Sequence, residues 1–216
     1  MNSAALALTS AFAGAVGALG LRTLVKLGGR AWAGRFPLAI YGCAPDGDAP
    51  GLFQHGWGEE VEDKRTRSKL AWLYTLKPIP RRGGKHHEHT LFGPYVNNFG
   101  RPGYFEIRFR VAGEGLDNSD HPIVVLDVIQ APFDLERNHL VLGQRVIRCA
   151  ELTKEYRIFG IAFYAAGRGV YEYRASVLEQ EFRLQMQQNK ENKGAEPEIR
   201  FDEVTVHSKI PLWELV

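Results

Sequence analysis

Tyr104-Phe105-Glu106-Ile107-Arg108-Phe109-Arg110-Val111 decides the fold, because apolar and charged side chains alternate through it without a break. Successive side chains of a strand point to opposite faces, so Phe105, Ile107, Phe109 and Val111 fall on one side and Glu106, Arg108 and Arg110 on the other. Val170 to Val177 repeats the pattern, with Tyr171, Tyr173, Ala175 and Val177 set against Glu172, Arg174 and Ser176. Gly167-Arg168-Gly169 before it reads as the turn of a hairpin. Two half-buried strands of this kind call for an antiparallel, layered β fold.

Working outward, Ile123 to Ile129 is a nearly continuous apolar run whose only charge is Asp127, as in a strand buried on both faces. Tyr156 to Tyr164 places Phe159, Ile161 and Phe163 on one face, and Val141 to Leu152 adds a further strand candidate. Pro94 within Leu91 to Val96 predicts an edge or irregular strand. Glu59 to Leu76 has room for one or two strands. In Ile199 to Val206 the inward phase slips from Ile199 and Phe201 to Val204 and Val206, the mark of a β-bulge at Asp202-Glu203. Residues 178–198 fit either period, since Leu178, Phe182 and Met186 recur at helical spacing while Phe182, Leu184 and Met186 alternate. The polar stretch Gln187 to Pro197 is expected to be a long loop. About seven strands at short spacing predict one antiparallel sandwich of jelly-roll type rather than a βαβ fold.

The chain has 216 residues, 44% hydrophobic and 24% charged, with a formal net charge of +2, which suits one folded core and gives no reason to invoke nucleic acid. The charge is unevenly placed: no acidic residue precedes Asp46, while Arg22, Lys26, Arg30 and Arg35 follow an uncharged stretch from Ala4 to Leu21. Residues 1–45 therefore read as a basic, small-residue helical arm, the linker APDGDAPG (Ala44 to Gly51) follows, and the sandwich occupies 52–216. A membrane-spanning helix needs roughly 17 to 25 apolar residues, and this Ala- and Gly-rich stretch is marginal for one. The arm is expected either to associate with a membrane or to dock on a protein partner, with a cytoplasmic or mitochondrial location as the alternative. Cys43 and Cys149 decide nothing about redox compartment.

The elements FGPYV (Phe92 to Val96), the Pro-Gly turn into YFEIRFRV (Tyr104 to Val111), VVLDV (Val124 to Val128), VYEYRASV (Val170 to Val177) and RFDEVTV (Arg200 to Val206) together resemble the galactose-binding-like or carbohydrate-binding-module-like β-sandwich. The resemblance covers roughly residues 90–208. It implies a domain that binds sugars or other polymers without catalysis, accessory to a partner enzyme, although some such domains serve as assembly modules.

Sugar recognition needs an aromatic face for the apolar side of a pyranose and fixed polar groups for its hydroxyls. Trp57, Trp72, Tyr74 and Tyr95 are the aromatic candidates, with Asn97 and Asn98 beside them. Arg108, Arg110, Glu172 and Arg174 are the polar ones, on two strands that could pair their charges if they are neighbours. His87 and His89 share a face of an extended segment and are the nearest thing to a metal pair, with His121, His139 or His207 as distant third ligands. Asp202, beside Glu203, is a candidate for a structural calcium. No other cofactor is implied. Lys64 to Lys85 gathers basic residues around Trp72 and Tyr74, a chemistry that suits single-stranded nucleic acid but reads more simply as a charged surface. No nucleophile elbow, P-loop or dinucleotide fingerprint occurs, so an enzyme is the weaker reading. The sequence points to a glycan-binding module, with a structural subunit docked through residues 1–45 as the alternative.

Overall fold

The computed structural model describes residues 37–43, 53–79, 89–99, 102–131 and 139–209. The first sheet contains β1 (Ala39–Gly42), β3 (Trp57–Glu62), β4 (Leu70–Pro78), β6 (Gly103–Glu114), β9 (Arg157–Ala165) and β11 (Glu198–Lys209). The second contains β2 (Gln54–His55), β5 (Leu91–Asn98), β7 (Pro122–Ala131), β8 (Leu140–Arg148) and β10 (Arg168–Val177). Their orders are β3-β4-β11-β6-β9, with β1 also on β11, and β2-β5-β10-β7-β8. Every pairing is antiparallel, so the fold is the all-β sandwich of jelly-roll type that the alternation called for.

The core lies between the sheets. Phe105, Ile107, Phe109 and Val111 of β6 face Tyr171, Tyr173 and Ala175 of β10, and all are buried. Ile123, Val124, Leu126, Val128 and Ile129 of β7 are fully buried between β10 and β8, which explains the unbroken apolar run.

The slip read at Asp202-Glu203 is present as a register shift between Phe201 and Val204. It also divides one side of β11 between two partners: β4 takes Arg200 and Phe201, and β1 takes Glu203 to Val206. The first sheet therefore includes Ala39–Gly42, residues that composition assigned to the arm, and Cys43 beyond them is buried. Four residues, with Ala39 and Tyr41 packed on the core and Ile40 exposed, are enough to extend a sheet, although too few to stand out from their basic surroundings. Cys43 and Cys149 are both buried free thiols. The helical arm and the spanning stretch Ala4 to Leu21 lie outside the described residues. Among the described residues no helix is long and apolar enough to cross a membrane.

Two other expectations are corrected. Gly167-Arg168-Gly169 does not close a hairpin: β9 pairs with β6 in the first sheet, β10 with β5 and β7 in the second. The chain crosses the sandwich here, and Phe163 meets Tyr171 across the core, ring centroids 6.4 Å apart. A turn sequence fixes a reversal, not which sheet receives the next strand. Gly169 is needed because its φ of 145° is a backbone conformation that L side chains rarely adopt. Second, Glu179–Asn192 is a helix, α1, so half of the expected polar loop is helical. Phe182 and Met186 pack on the core while Leu184 is half exposed, which selects period 3.6 over period 2. Lys193 ends the helix in the left-handed region, at φ 53°.

Candidate functional site

Among the described residues, two clusters of buried charge, one on each sheet, differ in kind. On the first sheet Asp63, at the end of β3, is 5% exposed and satisfied on all sides. It accepts hydrogen bonds from Arg65 Nε at 2.8 Å and Nη2 at 2.6 Å, from the Tyr156 hydroxyl at 2.9 Å and from Arg200 Nη1 at 3.1 Å. The Arg65 bonds above all hold its carboxyl well below the usual carboxylate range. The Tyr156 ring has the guanidinium carbons of Arg65 and Arg110 at 5.2 and 4.7 Å from its centroid. Arg110 also bonds Asp202 and donates to the Arg65 carbonyl at 3.2 Å. Burial raises the Asp202 carboxyl to about 6. The donors and acceptors of this group answer one another, so it clasps the β3–β4 connection to β6, β9 and β11.

On the second sheet the charges are less evenly matched, and Asp127 and Glu172 are both buried. Asp127 of β7 and Arg174 of β10 are register partners, and Arg174 donates to the carboxylate from Nε at 2.6 Å and Nη2 at 2.8 Å. This is a bidentate, planar pair. One step along β10, on the same face, stands Glu172, only 6% exposed. Its strand partner on β7 is Ile129, fully buried. On the β5 side the register runs from Val96–Tyr171 to Gly93–Tyr173, so Pro94 and Tyr95 both stand opposite Glu172. This bulge turns Tyr95 to the outward face, where it is 45% exposed and near enough for its field to reach Arg174. Farther along the face, His89 Nδ1 and Ser176 Oγ are 2.6 Å apart.

No hydrogen bond joins the Glu172 carboxylate to any described residue. Burial pushes it up to about 7, against a partial opposing effect of Arg174. A carboxyl whose folded pKa exceeds its unfolded one, about 4.3, holds its proton more tightly in the native state. Native stability contributed by that proton is present at low pH and is lost as pH rises through the interval from about 4.3 to 7. Glu172→Gln is therefore expected to stabilise the domain at pH 8, by about 2 kcal/mol after allowance for residual hydration. The gain should vanish below about pH 4. Thermal melts of the two proteins across pH check this; equal midpoints at pH 8 would show that the carboxylate is fully hydrated.

The sequence candidates are thus sorted by the sandwich. Tyr95, Glu172 and Arg174 come together. Trp72 and Tyr74, each 4% exposed, are corrected to core residues, because their positions on β4 point between the sheets. Trp72 Nε1 donates to the Trp57 carbonyl at 2.8 Å and its ring lies 3.7 Å from His55. Tyr74 meets Phe182 edge-on at 4.9 Å. With both rings inside, the basic stretch after Lys64 has lost the stacking surface that single-strand binding requires. Trp57 is half-buried against the core. Arg108 and Arg110 are on the other sheet, so the expected pairing with Glu172 and Arg174 does not occur: Arg108 bonds Glu106 at 2.9 Å, and Arg110 belongs to the clasp. The side chains of Asn97 and Asn98, at the end of β5, lie outside the described residues, as does His87. Among the described residues no three His, Cys, Asp or Glu side chains are grouped to hold a metal. Asp202, the calcium candidate, has its carboxylate against the Arg110 guanidinium. Asp127 was missed as a site residue although its signal was plain: a lone charge in a buried apolar run must find a partner.

No family model matches the chain, and no curated protein matches it either. Among solved structures it is similar to the carbohydrate-binding module CBM6cm-2 from Cellvibrio mixtus lichenase 5A in complex with cellotriose, at 10% identity and TM-score 0.42, covering 81% of this chain and 100% of that one. It is similar also to the CBM22-1 xylan-binding domain of Paenibacillus barcinonensis Xyn10C, at 9% identity and TM-score 0.44, covering 80% and 94%. The third is TmCBM61 in complex with beta-1,4-galactotriose, at 13% identity and TM-score 0.38, covering 79% and 88%. These neighbours are carbohydrate-binding modules, and no residue of the Tyr95 face is carried over from them.

Proposed function

We propose that this domain is a non-catalytic carbohydrate or glycoconjugate recognition module, with its ligand on the outward face of the second sheet. The observation that carries the reading is the placement of an exposed Tyr95 ring beside a fixed Asp127–Arg174 pair and a buried Glu172. A pyranose offers an apolar face to an aromatic ring and hydroxyls that both donate and accept. Tyr95 supplies the ring, the remaining guanidinium edge of Arg174 supplies donors, and Glu172 supplies an acceptor. Recognition is favoured over hydrolysis because Asp127 keeps both oxygens inside its bidentate pair. Among the described residues of this face Glu172 then has no second free carboxylate to act as nucleophile or base.

The test is a calorimetric titration of the full chain with a panel of neutral and charged oligosaccharides. One class should bind saturably, and Tyr95→Ala should weaken it by about tenfold, the worth of one sugar–aromatic contact. Because Tyr95 is half exposed, the variant should melt with the parent protein. A flat panel, or a Tyr95→Ala protein that binds as tightly as the parent, would overturn the assignment.

A further inference from the structure

We infer that the ligand of this face bears an ammonium group, as a deacetylated amino sugar does, and that Glu172 is the acceptor for it. The inference rests on the glycan reading above and narrows its ligand class. Three charges stand together on the face: Asp127, Arg174 and Glu172. Arg174 turns two donors to Asp127, at 2.6 and 2.8 Å, so those two charges match one to one and Glu172 is left over. Among the described residues its surroundings compensate it only in part, through the field of Arg174. Ile129 flanks it on β7, Pro94 and Tyr95 on β5, and no described residue donates a hydrogen bond to it.

A carboxylate that is 6% exposed and lacks a donor costs stability on any surface, and sites that act on ligands are where such costs are tolerated. The group that best relieves it carries both a proton donor and a positive charge. A hydroxyl would give Glu172 one hydrogen bond. An ammonium adds Coulomb attraction in a partly desolvated setting. A uronate or sulfate would instead meet two carboxylates, and among the described residues the guanidinium beside them, Arg174, already turns two of its donors to Asp127.

The experiment titrates the full chain with four probes of equal length: deacetylated chito-oligosaccharide, its N-acetylated form, a neutral cello-oligosaccharide and an oligogalacturonate. A lysine-rich peptide serves as a cation that is not a sugar. The deacetylated oligosaccharide should bind about tenfold more tightly than the acetylated one, and Glu172→Gln should bring that ratio close to one. The uronate should be the weakest of the sugars. Equal affinity for acetylated and deacetylated chains, or a ratio unchanged in Glu172→Gln, would overturn the ammonium assignment while leaving glycan recognition standing if neutral sugars bind. A peptide that binds as tightly as the amino sugar would overturn the sugar part of the inference. Failure of every oligosaccharide would remove the glycan reading itself.

Discussion

Asp63→Asn should lower the stability of the domain by about 3 kcal/mol at neutral pH, the scale for breaking a buried charge pair from one side. Asp63 is the hub of the clasp, and losing its charge leaves the Arg65 and Arg200 guanidinium groups and the Tyr156 hydroxyl around a single amide oxygen. Because Arg65 remains a third exposed, water takes up part of the loss, which keeps the figure at the low end of the range. The pH dependence gives a second readout. The native carboxyl of Asp63 lies below its unfolded value, so the stability it contributes is present above about pH 4 and is lost as pH falls through the folded value. In Asp63→Asn that acid limb should flatten. Urea unfolding at pH 7 and at pH 3 measures both effects. An unchanged midpoint at pH 7 would show that the clasp is hydrated and contributes nothing.

Arg174→Ala should be at least as damaging at alkaline pH, by about 3 to 4 kcal/mol at pH 8, because it removes the guanidinium that faces two buried carboxyls. Asp127 and Glu172 are 7% and 6% exposed. Arg174 is the charge that partly offsets the burial of Glu172, so its removal pushes that carboxyl above its present value of about 7. The native state then holds its proton to higher pH than the unfolded chain does, and the stability of the variant should rise as pH is lowered from about 8 to 5. A deficit that is the same at both ends of this interval would assign the loss to the packing of the arginine stem and not to charge. Combining Arg174→Ala with Glu172→Gln should recover part of the deficit at pH 8, since the two side chains share one environment and their effects cannot add.

Both clusters illustrate what residue pattern conveys and what it leaves open. The strands at Tyr104 and Val170, the doubly buried strand around Asp127 and the bulge at Asp202-Glu203 were all legible. Each depends on side chains a few positions apart, whose alternation is fixed by the two-residue period of a strand. The helix Glu179–Asn192 was half legible, since its apolar residues satisfied two periods and only the burial of Phe182 with the exposure of Leu184 separates them. Glu172 and Arg174 were readable as outward-facing charges, but not their partners. The partner of Arg174 lies 47 residues away on β7, while the strand that seemed to match it, with Arg108 and Arg110, is on the opposite sheet.

What the sequence by itself determined, then, is the strand content, the inward and outward faces, and the antiparallel sandwich class. These follow from short-range stereochemistry and from the need to bury alternate side chains. What only the tertiary structure decided is which strands are neighbours and which aromatic rings are spent on the core. The same decision grouped the outward charges, Asp63 with Arg65, Arg200 and Tyr156 on one sheet and Tyr95 with Glu172, Arg174 and Asp127 on the other. Strand order is set by contacts between distant segments, and a turn of two residues after Ala165 can either close a hairpin or carry the chain across the sandwich. The pairing of β9 with β6 and of β10 with β5 and β7 selects the second, with Phe163 against Tyr171 across the core, and with it the face on which no described residue donates a hydrogen bond to Glu172.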